Sequence, residues 1–156
     1  MKIKVYAIAK TDEPYLRTGV DIYCNKLIHY FPFEYIELPA LKQIKNLNFE
    51  QQKIKEGEII LDKILPSDTV VLLDENGQNM TSVGFADFLQ KKMQLSKQLV
   101  FVIGGPYGFS PQVYERSNFK LSLSMMTFSH QMVRLIFLEQ LYRAASILKN
   151  EPYHHQ

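Results

Sequence analysis

The chain has 156 residues, 46% of them hydrophobic and 22% charged, a balance typical of globular rather than disordered sequences. Lys and Arg number 18 against 16 Asp and Glu, a net charge of +2 that by itself implies no nucleic-acid partner. No apolar run approaches the roughly 18–20 residues of a membrane span, the N-terminus "MKIKVYAIAK" lacks the form of a signal peptide, and a single cysteine, Cys24, excludes an internal disulfide. A cytoplasmic chain forming one domain over residues 1–156 is expected, with Cys24 as a buried structural thiol.

In chain order, "KIKVYAIA" (2–9) alternates lysine with apolar residues and then becomes continuously apolar, as a strand entering a core does. Over 14–30, Leu16, Val20, Tyr23, Leu27 and Tyr30 recur near helical spacing, and Pro14 suits the opening of a helix. "FEYIEL" (33–38) alternates as a strand that Pro39 ends. A basic, turn-rich loop, "PALKQIKNLN", leads to a second helix over 49–64 marked by Ile54, Ile60, Leu61 and Ile64. "TVVLLDENG" (69–77) reads as a buried strand breaking into a polar turn, and 81–93 as a third helix with Phe85, Phe88, Leu89 and Met93 on one face. "LVFVIGGPYGF" (99–109) is a strand running into a glycine-rich turn. A short helix or turn at 110–117, a short strand "KLSLS" (120–124), a long helix over about 130–149 and a polar tail complete the chain.

Strands alternating with helices, two of the strands almost wholly apolar, predict an α/β fold: a parallel sheet covered by helices on both faces. Ligands of such sheets gather beyond the carboxyl ends of the strands. That makes the exits "LLDENG", "IGGPYG" and "LSLSMMTFSH" candidates for one site. The order Gly104-Gly105-Pro106-Tyr107-Gly108 is not a dinucleotide fingerprint, since it comes late and opens no helix. It is not a P-loop either, since no Gly-Lys-Ser/Thr follows. A tight turn with positive φ and a backbone against which a ligand lies are both consistent with it. Met125, Met126, Thr127 and Phe128 would add an apolar wall with backbone polar groups available, suited to an adenine ring and an amino-acid moiety rather than a row of phosphates.

In the last helix, Glu139 and Arg143 stand four apart, the spacing of a surface ion pair, and Arg134 reads as solvated or facing a phosphate. Leu135, Leu138, Leu141, Tyr142 and Ile147 exceed one apolar stripe, which points to core or to a helix of a second copy. His29, His130, His154 and His155 show no zinc spacing, so no metal is expected. The tail "NEPYHHQ" sets Tyr153, a stacking aromatic, beside His154, a group that titrates near neutrality.

Three separated motifs, "FVIGGPYG", "LSLSMMTFSHQMVRLIFLEQLYRA" and the closing "PYH", resemble in order and spacing the ribosomal RNA large subunit methyltransferase H family of the SPOUT superfamily. The likeness covers essentially the whole chain, including "KIKVYAIAK" and "EYIELPA". It implies a SPOUT-type α/β fold with a C-terminal trefoil knot, one of the rare exceptions to unknotted connectivity. It further implies S-adenosyl-L-methionine-dependent N3-methylation of a pseudouridine in helix 69 of 23S rRNA, on assembled 70S ribosomes, by a homodimer. Carried onto this sequence, the cofactor pocket takes Leu73, Gly104, Leu123, Ser124, Met125, Met126, Thr127 and Phe128. The pseudouridine N3 has to lose a proton, which makes His154 the first candidate for a base, with Tyr153 and Arg143 positioning the substrate. Two departures stand out: Ser129, where relatives usually carry proline, could loosen the entry to the last helix or cap it, and His155 stands where relatives usually carry a basic residue, so its neutral form would hold RNA less firmly if that position contacts phosphate. A SPOUT methyltransferase acting on tRNA and a non-enzymatic ribosome-associated protein are the alternative readings.

Overall fold

Alternation along the strands sets the layers. In β1 (Lys2–Ile8), Ile3, Val5 and Ala7 face one side of the sheet while Tyr6 and Ile8 face the other. In β4 (Gln98–Ile103), Leu99, Phe101 and Ile103 join the first face, and Val100 and Val102 the second. Both faces therefore need cover, and in the computed structural model, which describes residues 1–155, both have it. The first face carries α1 (Pro14–Leu27), α3 (Ser82–Leu95) and α5 (Met132–Leu148), through side chains such as Val20, Phe85 and Phe137. The second carries α2 (Phe49–Lys63) and the short α4 (Pro111–Arg116), through Ile60 and Val113. With β2 (Phe33–Leu38), β3 (Thr69–Asn79) and β5 (Phe119–Ser122), the five strands form one sheet in the order β2-β1-β4-β3-β5, every pair parallel.

Local chemistry fixes where the helices begin. Pro14 opens α1 as expected. A capping box between Asn48 and Gln51 opens α2, and Thr81 Oγ1 accepts the Gly84 N–H at the start of α3. The basic loop before α2 contains a single 3-10 turn, Ile44–Asn46.

One expectation is corrected at β3. The polar stretch after "VVLL" is a bulge inside the strand rather than a turn that ends it. Leu121 of β5 pairs first with Leu73 and then, after a register shift, with Gln78, and Ser122 pairs with Asn79. Pairing resumes because β5 supplies a further edge, and residues 74–77 are thrown out of the ladder.

A second correction concerns Arg134, which is neither solvated nor free to meet a phosphate. It is fully buried. Its guanidinium donates to the carbonyl oxygens of Ile8 and Ala9, to Thr11 Oγ1 at 3.0 Å and to Glu37 Oε2 at 3.3 Å. Acceptors from the carboxyl ends of β1 and β2 thus compensate the cost of burying the charge. Leu138 and Leu141 of α5 are buried within the chain, between α1 and α3, whereas Leu135, Tyr142 and Ile147 are only partly buried. Cys24 is partly buried, and burial pushes its thiol up to about 12, as suits an unreactive packing residue.

Candidate active site

The carboxyl ends of β4, β3 and β5, neighbours in the sheet, open into one cleft of about 390 Å³. Its walls come from the three exits singled out in the sequence: Leu73 to Asn76 after the regular part of β3, Ile103 to Phe109 after β4, and Leu121 to Phe128 after β5 without Met125. His130 and Val133 close it from the N-terminal side of α5. Met125 points away and is 93% exposed, whereas Met126, 77% exposed, sits on the rim.

The glycines serve the protein before they serve any ligand. A Cβ on Gly104 would stand 3.0 Å from the ring of Phe109, which packs beneath the turn. One on Gly105 would meet the carboxylate of Glu56 at 2.8 Å. Gly108 adopts φ +84°, a conformation that suits glycine. Small residues here let the turn fold onto α2 and Phe109, which leaves its other edge as bare backbone along the cleft.

Hydroxyls hold the irregular loop that follows β5. Ser122 Oγ donates to the Ser124 carbonyl at 2.9 Å, and Ser124 Oγ accepts the Met126 N–H at 2.9 Å. Ser129 Oγ accepts the Met132 N–H at 3.1 Å, so the residue at the proline position braces the turn that leads into α5. Thr127 Oγ1 donates to Glu75 Oε2 at 3.3 Å, and the Tyr114 hydroxyl donates to Asp74 Oδ2. The Tyr114 phenol is pushed well up by burial and by Asp74, so it keeps its proton. Burial, with Arg134 adding to it, lowers His130, which keeps that imidazole neutral around pH 7.

Tyr153, His154 and Arg143 form a second cluster, outside the cleft lining. The tail is docked rather than frayed. The Tyr153 ring meets Tyr142 edge-on at 4.7 Å, its hydroxyl donates to Glu139 Oε1 at 3.0 Å, and the Arg143 guanidinium lies 4.7 Å from its ring centroid. Arg143 also pairs with Glu139 at 2.6 Å, the expected i,i+4 contact. Arg143 Nη1 donates to His154 Nδ1 at 3.1 Å. Since arginine cannot accept, Nδ1 offers its lone pair and the neutral imidazole carries its hydrogen on Nε2. That Nε2 is buried with no partner among the described residues. Ten residues of α5 separate Val133 in the cleft from Arg143, about 15 Å along the helix. One copy of the chain therefore does not bring its own tail cluster to its own cleft.

A sequence model described as a predicted SPOUT methyltransferase matches residues 1–154. Proteins named ribosomal RNA large subunit methyltransferase H are similar over full length. Those of Flavobacterium psychrophilum and Christiangramia forsetii are 59% and 57% identical, with 100% of both chains covered. That of Cytophaga hutchinsonii is 51% identical over 99% of this chain and 100% of its own. The chain belongs to the ribosomal RNA large subunit methyltransferase H family of SPOUT methyltransferases.

Membership in this methyltransferase family implies a methyl donor. Among the described residues no group of His, Cys, Asp and Glu is arranged to hold a metal ion, and no helix is long and apolar enough to cross a membrane. Sequence reasoning placed Asp74, Glu75 and His130 within the candidate exits without giving them a role there, and left Phe109 and Tyr114 out of the site. The only available signal was their position, within a few residues of a strand's carboxyl end or of the last helix.

Proposed function

We propose that the cleft holds S-adenosyl-L-methionine and that the chain, as a homodimer, methylates N3 of a pseudouridine in helix 69 of 23S rRNA on the assembled 70S ribosome. The observation that carries this reading is the convergence of three neighbouring strand ends into one cleft of mixed polar and apolar lining with a glycine-rich turn along it, on a chain 57–59% identical over full length to proteins named for large-subunit rRNA methylation. The reading includes a trefoil knot in the C-terminal half of the chain.

The residues fit that cofactor. Leu73, Leu123 and Phe128 offer apolar surface to an adenine ring, and the turn at Gly104 offers backbone N–H and C=O groups unobstructed by side chains. Ser124 and Thr127 already hold the loop in shape through their hydroxyls, so cofactor binding needs little further ordering. Bound there, S-adenosyl-L-methionine supplies a methyl group activated by a positively charged sulfur. The protein's part is alignment, which holds the methyl acceptor in line.

A second copy completes the site. The roughly 15 Å between cleft and tail cluster within one chain, and the solvent-exposed Met126 on the rim, both favour a partner whose tail covers the cleft. In that arrangement Tyr153 stacks on the target base, and Arg143 with Glu139 fixes the tail. His154 keeps the role of candidate base; with Arg143 Nη1 on Nδ1 the hydrogen of the neutral ring sits on Nε2, which makes a role as hydrogen-bond donor the second reading. An N–H directed at a ring that has lost its N3 proton stabilises the charge left behind. The target base has to be unstacked to reach the site.

Nucleoside mass spectrometry of rRNA and tRNA from cells with and without the gene tests this reading. N3-methylated pseudouridine should vanish from 23S rRNA alone. Loss of a tRNA nucleoside instead would favour the tRNA enzyme, and no change in either pool would favour a non-enzymatic protein.

A further inference from the structure

Two of the residues lining the cleft, Asp74 and Glu75, are carboxylates; none is Lys or Arg. Neither carboxylate enters an ion pair among the described residues. Their partners are neutral: the Asn76 N–H, at 2.8 Å from Asp74 Oδ1, the Tyr114 hydroxyl, and Thr127 Oγ1. Lys120 lies over the Tyr114 ring, its ammonium 5.5 Å from the centroid. His130, the remaining titratable lining group besides Tyr107 and Tyr114, is lowered by burial and by Arg134, so it adds no charge near pH 7. The cleft therefore carries negative charge that no cation of its lining offsets, a field that favours cations.

We propose that Asp74 and Glu75 make the cleft charge-selective: it holds the cationic sulfonium donor more tightly than the neutral thioether left after transfer. The proposal rests on the reading that S-adenosyl-L-methionine occupies the cleft. In the transfer, the bond from sulfur to the methyl carbon breaks and its electron pair stays on sulfur. The methyl carbon bonds to the acceptor nitrogen, whose proton has passed to water. The ligand in the cleft loses one positive charge, and with it the attraction to both carboxylates. Product then leaves without a large change of shape, and product inhibition is weak. Asp74 also shapes the bulge through Asn76, whereas Glu75 is exposed and, among the described residues, bonds only Thr127. Glu75→Gln is therefore the cleaner probe, and Asp74→Asn the second.

Calorimetry on the full-length protein with three probes tests this: S-adenosylmethionine, S-adenosylhomocysteine, and sinefungin, in which a protonated amine replaces the methylsulfonium. The wild type should bind both cationic ligands more tightly than the neutral one. Glu75→Gln should weaken the two cations roughly three- to tenfold, the scale of one partly screened charge pair, and leave S-adenosylhomocysteine within about twofold. Added salt should compress the same ratio. Equal affinity of the wild type for all three, or an equal loss for all three in both variants, overturns the proposal while leaving the cofactor reading intact. Failure of all three to bind the wild type overturns the cofactor reading and the proposal together.

Discussion

The guanidinium of Arg134, at the start of α5, reaches across 97 residues of sequence to the carboxylate of Glu37 at the end of β2, 3.3 Å away. Arg17 of α1 donates to the other oxygen of the same carboxylate at 2.6 Å, and the N–H and hydroxyl of Thr11 complete its shell at 2.8 and 2.6 Å. Arg134 Nε also donates to the carbonyl of His130, a cleft residue. The network fastens the loop that walls the cleft to the far side of the sheet.

Replacing Arg134 with Met keeps much of the volume but takes the guanidinium from the Ile8 and Ala9 carbonyls and removes one of the donors to Glu37. We expect a loss of about 3–5 kcal/mol of stability, the range for breaking a buried charged pair by removing one partner. Denaturant titration should find the midpoint shifted with an unchanged slope.

The same network predicts an acid limb of stability. Burial alone would raise the Glu37 carboxyl, but hydrogen bonds from Arg17 and Thr11 outweigh it and hold the group below the usual carboxylate range. The folded value lies below the unfolded one, so the stabilisation is full above about pH 4.3 and is lost as pH falls through the folded value. Thermal melts from pH 6 down to pH 3 should show a falling midpoint, and Glu37→Gln should flatten that fall. An equally steep fall in the variant would assign the acid sensitivity to other groups.

For His154, a donor and a base predict different rescue patterns. His154→Ala should slow single-turnover methylation roughly 10²-fold at saturating ribosome and cofactor, the usual cost of one transition-state donor. His154→Gln, which offers an amide N–H but no base, should recover part of that loss for a donor and none of it for a base. His155→Ala, on an exposed residue, should act on ribosome affinity and its salt dependence rather than on the rate at saturation. Identical rates for the Ala and Gln variants of His154 would exclude the donor, and full rates in both would leave the residue no role.

Hybrid dimers test whether cleft and tail come from different copies. Sedimentation at micromolar concentration should give about twice the 18.2 kDa chain mass. A chain cut after Pro152 loses the Tyr153–Tyr142 contact, worth about 0.5–1.5 kcal/mol beyond its buried area, yet should keep cofactor binding. Gly104→Val drives a side chain against Phe109 and should lose cofactor binding while keeping near-native circular dichroism. Each variant alone should be inactive. Mixed through reversible dissociation, half the dimers pair one intact cleft with the other chain's intact tail, so about a quarter of wild-type activity should return. No recovery from a mixture that has exchanged subunits would mean that each chain uses its own tail.

The sequence carried the layers well because the strands are short apolar runs and the helices have clear starts. Pro14 opens α1, and "FEYIEL" is β2 to the residue. Position was legible too, since three polar or glycine-rich exits predict one site in a parallel sheet. What was hidden depends on distant partners. Nothing near Arg134 in sequence announces that Ile8, Ala9, Thr11 and Glu37 will receive its hydrogen bonds. Asp74 and Glu75 sit in a stretch with the composition of a turn, and only the renewed pairing of Gln78 with Leu121 converts it into a bulge facing the cleft. Met125 and Met126 are alike in sequence, but only Met126 lines the cleft.

The most direct test is a single-turnover reaction of the purified protein with methyl-labelled S-adenosylmethionine and 70S ribosomes from cells lacking the gene. Nuclease fragments of the rRNA would then be mapped by mass spectrometry. The label should appear on one pseudouridine of 23S helix 69, at N3, with none in tRNA incubated in parallel. Label in tRNA alone, or none in either RNA from a protein that binds the cofactor, would contradict the account.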